Sequence, residues 1–269
     1  MSTFTPRDTT PRVGWSPTRR VIWHELQVYR RIWRGSVAAN FVFPVFYLAA
    51  MGIGIGHLVN RHVGHVGGHP YVAYIGPGLL AMTAMQSGAA ECMWPVVDGI
   101  KWSKVFCAIT ATPVEPEDIV TGRLVWTAIR LFVTSLVYVG IFAVFGVLTS
   151  WWSLLLPFIG ALTALAFAAP LFAYATTLDN DYVFTVVQRF LFVPLFLFSA
   201  TFYPLSTYPH WLRPLVQVSP LYHSVALCRA AAFGTGRPLA LVMHTVILLT
   251  MTIIGTVLSR RYLRKCLTV

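Results

Sequence analysis

Long stretches without a charged side chain constrain this chain more than any other feature. Ignoring histidine, Gly35–Asn60, Pro70–Ala90, Leu131–Leu178, Phe190–Leu212 and Pro238–Ser259 contain no Asp, Glu, Lys or Arg. About 20 apolar residues in a helix cross the hydrocarbon core of a bilayer. Leu131–Leu178 has 48 residues, too many for one crossing. Its cluster Thr149-Ser150-Trp151-Trp152-Ser153 divides it into two spans, because Trp favours the headgroup level. The expectation is six transmembrane helices.

Composition agrees. Hydrophobic residues make up 57% of the 269 positions and charged residues 11%, against about 25% charged in a soluble domain. Such a chain cannot cover a water-facing surface, and it is too apolar for disorder. The fold class is an all-α polytopic membrane protein. The net charge of +11 would point to nucleic acid in a soluble protein. Here it sets topology, and no nucleic-acid partner is expected.

Arg7, Arg12, Arg19, Arg20, Arg30, Arg31 and Arg34 precede the first span, and Arg260, Arg261, Arg264 and Lys265 follow the last. Basic residues mark the cytoplasmic side, so both termini are expected in the cytoplasm of a multi-pass protein of the cell (plasma or inner) membrane. The expected divisions are a disordered tail over 1–17, an amphipathic interfacial helix over 18–34, a six-span domain over 35–261 and a basic tail over 262–269. The outward segment before the last span, rich in Pro, is expected to be re-entrant or helical. No cleavable signal is apparent, so the first span is expected to be a retained anchor. With Cys92, Cys107 and Cys266 on or near the cytoplasmic side and only Cys228 facing out, no intrachain disulfide is expected.

In the interfacial helix Ile22, Leu26, Tyr29 and Trp33 follow one face of a 3.6-residue period, flanked by Arg30 and the other arginines. Such a helix lies in the membrane plane among the lipids. It is either a passive anchor or a lever that touches a cytoplasmic partner. Val96–Gly122, 27 residues, is the longest cytoplasmic loop. It carries Asp98, Lys101, Trp102 and Lys104, then Thr112 and Pro113, then Glu115, Glu117 and Asp118, where acids suit a helix N-terminus. A membrane hairpin does not need that length; a docking surface does.

Glu91 and Arg130 each lie seven residues inside a charged loop residue, roughly 10 Å from the interface at ~1.5 Å per residue. A charge at such depth pairs or snorkels to the interface. Both readings stand for this pair, and Arg189 has Asp179 and Asp181 as candidate partners. The outward loop holds His57, His62, His65 and His69, but no Cys or carboxylate completes a metal shell, so no metal site is assigned. Gly52-x3-Gly56 permits close helix approach. No phosphate-binding G-x4-G-K-[ST] loop is present. The metalloprotease helix string fails at Val28, and no G-x-S-x-G elbow occurs. No catalytic residues are assigned.

Two stretches carry a family resemblance. One is Glu91–Arg123, with Thr112-Pro113 and Asp118-Ile119-Val120-Thr121-Gly122-Arg123. The other is Phe202-Tyr203-Pro204-Leu205, Tyr208-Pro209, Trp211-Leu212, Pro220-Leu221 and Arg229. From about Arg19 onward the chain resembles an ABC type-2 exporter permease of the nodulation-protein-J and daunorubicin-resistance type. The resemblance implies a six-span permease that pairs with a second copy or a paralogue and docks two separate ATPase subunits. ATP and Mg2+ would be bound by those subunits, and no cofactor by this chain. The loop after the second span would couple ATP hydrolysis to transport, with the N-terminal helix helping to hold the ATPase. The cargo would be amphipathic: a lipo-oligosaccharide, a glycolipid or a hydrophobic drug. The rival readings are a secondary transporter, opposed by the lack of internal repeats and of intramembrane acids apart from Glu91, and an intramembrane enzyme, opposed by the lack of a nucleophile–base or metal set.

Overall fold

A computed structural model describes residues 16–51, 54, 66, 68–178 and 182–267. His57, His62, His65, Gly52, Gly56, Asp179, Asp181 and the tail before residue 16 lie outside the described residues.

The described residues are helical, without a strand; one isolated bridge joins Val66 and His69. Five long helices build the bundle: α1 (Pro17–Ala49), α2 (Tyr71–Val97), α4 (Pro116–Val144), α5 (Leu156–Ala175) and α10 (Pro238–Leu267). The short α3 (Val105–Thr110) lies between α2 and α4. Between α5 and α10 come α6 (Tyr182–Val187), a π-helical turn (Gln188–Phe192), α7 (Val193–Leu197), α8 (Arg213–Val218) and α9 (Pro220–Phe233). Proline opens many of these helices, in α1, α4, α5, α7, α8 and α9. A first-turn proline loses no intrahelical hydrogen bond there.

Pro116–Val144, Trp151–Ala175 and Pro238–Leu267 are long and apolar enough to cross a membrane, and Tyr182–Leu197 is a shorter apolar helix. The hub is α5, which packs on α10, α2 and α4. Small residues bring backbones together at two of these crossings. A Cβ on Gly88 of α2 would sit 2.6 Å from the Ala164 carbonyl oxygen, and one on Gly255 of α10 2.5 Å from the Pro170 ring. Close backbone approach is how membrane helices gain packing energy where the surrounding lipid is as apolar as leucine. Ser259 adds a bond across the α10–α5 seam by donating to the Ala169 carbonyl at 2.7 Å.

Four boundaries differ from the sequence expectation. The interfacial helix does not end at Arg34: α1 runs unbroken to Ala49, since Gly35 alone costs only about 1 kcal/mol of helix propensity. The stretch Phe190–Leu212 is not one continuous helix. Helix covers Tyr182–Leu197, and the chain then turns at Ala200, whose φ is 59°. Beyond it Pro204 and Pro209 oppose further helix. The long loop expected over 96–122 contracts, because α2 extends to Val97 and α4 begins at Pro116. Finally, residues 262–267 continue α10 instead of forming a tail. Arg264 and Lys265 suit the negative end of the helix dipole, and Leu263 is fully buried. The segment before the last span is helical, through α8 and α9.

Candidate functional site

The first half of α1 lies along the first half of α4 in parallel register. Thr18 donates to the Asp118 carboxylate at 2.8 Å. One turn on, Gly122 faces Val21 so closely that a Cβ would sit 2.7 Å from the valine side chain. Next, Glu25 meets Arg123 at 2.7 Å. Then Tyr29 packs edge-on against Trp126 with ring centroids 5.7 Å apart. Steps of three or four on α1, and of four through Asp118, Gly122 and Trp126 on α4 with Arg123 beside them, place these residues on facing stripes. Thus the packed face of α1 is Thr18, Val21, Glu25 and Tyr29. Of the expected apolar stripe, Tyr29 joins this seam, Ile22 and Leu26 are half-buried beside it, and Trp33 is exposed. Arg30 is also exposed, with its guanidinium 5.8 Å from the Trp23 ring.

At the end of this seam three helices share a charge cluster. Arg123 of α4 is buried. Its Nη1 donates to Glu25 of α1, while Nε and Nη2 donate to the backbone carbonyl of Glu91 in α2 at 3.2 and 3.1 Å. The Glu91 carboxylate forms an ion pair with Arg130, also on α4. The Arg130 guanidinium stands 5.0 Å from the Tyr29 ring. Two arginines spaced by seven are on one face of α4, so one binds the main chain of α2 and the other its side chain. Charges removed from water in this way are held by pairing, and stranding one partner is far costlier than removing both. Glu91 and Arg130 stand out in the sequence by interrupting apolar runs; Glu25 and Arg123 do not. The available signal was spacing: Glu25 is three residues after Ile22 and four before Tyr29, so it belongs to the inward side of the helix.

Beneath the cluster, a cleft of about 400 Å3 separates α1 from the connection between α2 and α4, with Glu25, Glu91, Asp98, Phe106, Arg123 and Arg130 on its walls. The connection itself is ordered by local bonds. Asp98–Trp102 forms a π-helical turn, closed where the Ser103 N–H and hydroxyl both donate to the Asp98 carbonyl at 2.9 and 3.1 Å. Lys104 takes a left-handed backbone, φ 52°, and reverses the chain into α3. Phe106 is buried against Gly99, where a Cβ would lie 2.9 Å from the ring. Thr112 donates to the Ile109 carbonyl at 2.6 Å and ends α3 before Pro113. The Asp118 carboxylate accepts the Glu115 N–H at 3.3 Å and so starts α4.

The outer surface of this connection is aromatic and basic. Trp102 is 56% exposed, 6.4 Å from the exposed Trp94 ring, and Lys104 is exposed next to it. Trp94 packs edge-on against Phe184 of α6 at 5.1 Å. The structure therefore gathers Asp98, Lys101, Trp102, Lys104, Thr112, Pro113, Glu115 and Asp118 at one end of the bundle, next to Glu91 and Arg130. Arg189 is not part of this group; it is exposed on the π-helical turn between α6 and α7.

The other end of the bundle holds charge differently. Arg229 of α9 donates to the Thr201 carbonyl at 2.7 Å and to the Tyr74 carbonyl at 3.4 Å, with the Tyr74 ring 3.8 Å from its guanidinium. Arg213 likewise donates to the carbonyls of Tyr208 and Ser206. His223 and His244 are buried and share a hydrogen bond between their Nδ1 atoms at 2.7 Å. Among the described residues no three His, Cys, Asp or Glu side chains are grouped so that they could hold a metal.

Comparison with known proteins converges on one family. The sequence model described as ABC-2 type transporter matches residues 18–233. Nodulation protein J of Rhizobium meliloti is 32% identical over 256 residues, covering 90% of this chain and 94% of that protein. Nodulation protein J of Sinorhizobium fredii is 32% identical over 219 residues, covering 78% and 81%. The inner membrane transport permease YadH of Escherichia coli is 26% identical over 225 residues, covering 82% and 84%.

Proposed function

Because the chain belongs to the ABC-2 type transporter family, we propose that this membrane permease is the spanning subunit of an ATP-driven exporter. Its cargo is an amphipathic molecule: a lipo-oligosaccharide, another glycolipid or a hydrophobic drug. It crosses the inner membrane six times with both termini in the cytoplasm, and it pairs with a second permease. Two separate ATPase subunits dock on the connection between α2 and α4 and bind the ATP and Mg2+.

One observation supports the coupling role above all. The connection that presents Trp102 shares a cleft with a charge cluster tying α1, α2 and α4 together. A push on this connection bears on all three helices at once, because Phe106 is wedged on Gly99 and Asp118 is bonded to Thr18. Exposed Trp102 has the character of a binding anchor, since Trp is enriched among interface hot spots. Lys104 tunes encounter more than affinity.

Co-purification of a separately expressed ATPase tests this reading. Trp102→Ala is expected to insert normally and to weaken docking by about 2 kcal/mol, roughly thirtyfold. Normal docking by Trp102→Ala would place the anchor elsewhere. Cargo class is tested by reconstituting the complex and measuring which lipids and drugs stimulate ATP hydrolysis.

A further inference from the structure

The last turns of α10 do not hang free below the bundle. Arg260, Leu263, Arg264 and Leu267 stand at i, i+3, i+4 and i+7, so they occupy one helical face. That face meets the segment preceding and opening α4. Arg260 donates to the Thr121 hydroxyl at 2.9 Å, and that hydroxyl donates to the Glu117 carbonyl at 2.7 Å. Arg264 faces Glu117 at 3.5 Å. Leu263 is fully buried in the main core. Leu267, half-buried, closes a cleft otherwise walled by Thr110, Thr112, Pro113, Val114, Glu115 and Pro116. The helix tip thus supports the very residues that join α3 to α4. Here α10 also touches α3, and each carries one thiol, Cys266 on α10 and Cys107 on α3. Cys107 and Cys266 are both exposed and stand on opposite sides of this contact.

We infer that the tip of α10 is a strut for the α2–α4 connection, with Leu267 as the positioning residue that keeps the connection in place when an ATPase pushes on it. This deepens the coupling reading proposed above and rests on it. Without the strut, the connection is held only from the α2, α4 and α1 side, and its outer corner at Thr110–Pro113 has no support from the last helix. Movement of the ATPase would then be absorbed at that corner. With the strut, the corner and α10 move as one body, and α10 carries the motion to α5 through the Gly255–Pro170 crossing.

The native thiols provide the test. The assembled permease–ATPase complex is placed in nanodiscs of phosphatidylethanolamine and phosphatidylglycerol and treated with a short rigid bismaleimide. Each maleimide adds one thiol, so a thioether tie forms with no oxidation. A tie between Cys107 and Cys266 is expected in the wild-type chain, seen as linked peptides by mass spectrometry, and none in Cys107→Ser or Cys266→Ser. Leu267→Asp, with Leu267→Ala as the milder companion, is expected to keep the ATPase bound but lower ATP hydrolysis about tenfold, because small misplacements far from the chemistry are costly. The tie should restore that loss to within about twofold of wild type, and it should leave the wild-type rate unchanged. A merely structural role for Leu267 does not predict rescue by a covalent bridge across the same contact. The inference is overturned if both thiols react singly yet no tie forms, if the tie stops wild-type turnover, or if Leu267→Asp hydrolyses ATP normally. Failure of the wild-type chain to bind the ATPase is a different result: it removes the coupling reading, while efficient tie formation in the wild-type chain and its lowered yield in Leu267→Asp still decide whether the strut exists.

Discussion

The two ends of the bundle hold their arginines by different means. Near the α2–α4 connection Arg123 and Arg130 face carboxylates on two other helices, and their side chains and those of their partners are between 8% and 21% exposed. At the far end Arg229 and Arg213 donate to backbone carbonyls, and Arg229 also lies against an aromatic ring. All nine acids of the chain fall at or before Asp118 or at Asp179 and Asp181, so the helices from α7 onward, which include those bearing Arg213 and Arg229, carry no carboxylate. The contrast has a physical consequence. An ion pair links two side chains that can separate and be re-formed, at the cost of two desolvated charges. A guanidinium on carbonyls leaves only neutral groups behind when it is removed. The first arrangement suits a joint between elements that must stay in register under load. The second suits a fixed staple, here fastening the turn at Thr201 to α2.

The largest expected effect comes from stranding a charge in the first arrangement. Arg123→Ala leaves Glu25 buried beside α4 and removes both donors to the Glu91 carbonyl. A loss of about 3–5 kcal/mol is expected, the range for breaking one side of a buried pair. Glu25→Leu combined with Arg123→Leu should recover a large part of it. Folded yield and thermal midpoint in detergent measure both variants. Strictly additive losses in the double variant would dissolve the distinction between the two ends.

Arg229→Met should cost less, about 2 kcal/mol, because it strands carbonyls and a ring face but no opposite charge. No second substitution should rescue it. If Arg229→Met proved as damaging as Arg123→Ala by the same measurement, the far end would carry more than a staple. The Glu91–Arg130 pair sharpens the comparison from the other side. It is more exposed than Glu25–Arg123, so solvent screens part of its attraction. Glu91→Gln is expected to cost about 1–2 kcal/mol at most, with partial recovery when Arg130→Met is added.

How much of this was legible in the sequence depended on how each residue stood out from its surroundings. Glu91 and Arg130 interrupt apolar runs, and a charge in such a setting attracts attention from hydropathy alone. The structure puts their side chains together. Glu25 is equally central, yet it sits among Arg19, Arg20, Arg30, Arg31 and Arg34, where one acid reads as ordinary solvated charge. Only its register with Ile22 and Tyr29 betrays it. Arg123 was hidden for the opposite reason, as one more basic residue at the membrane edge. The bundle of long helices follows from the apolar stretches, but their limits do not. Charge-free length located Phe190–Leu212 as a span, whereas the backbone turns at Ala200 and the helix starts at Tyr182. Hydropathy has no term for a left-handed residue in an apolar segment. At the C-terminus four basic residues suggested a tail, while the apolar Leu263 and Leu267 between and beyond them set a buried helical stripe.

The smallest effect is expected where a pair looks most like a salt bridge on paper. Glu117 and Arg264 approach to 3.5 Å, but their side chains are 42% and 69% exposed. Each is already solvated, so bringing them together exchanges water for a screened attraction and costs side-chain entropy. Exposed pairs of this kind contribute about 0–1 kcal/mol. Glu117→Gln should therefore shift the thermal midpoint little, and what shift there is should vanish in high salt, since a Debye length shrinks to about 3 Å at 1 M. The same reasoning assigns the hold of α10 on the connection to Leu263 and Leu267 packing and to the Arg260–Thr121 bond, not to this pair. Glu117→Gln should leave the yield of the Cys107–Cys266 tie at its wild-type level, while Leu267→Asp lowers it. A tie that falls equally in both variants, and recovers in neither at high salt, would mean that the exposed charges do the holding. Exposure would then be no guide to which ion pairs matter in this protein, and the ranking from Arg123 downward would fail with it.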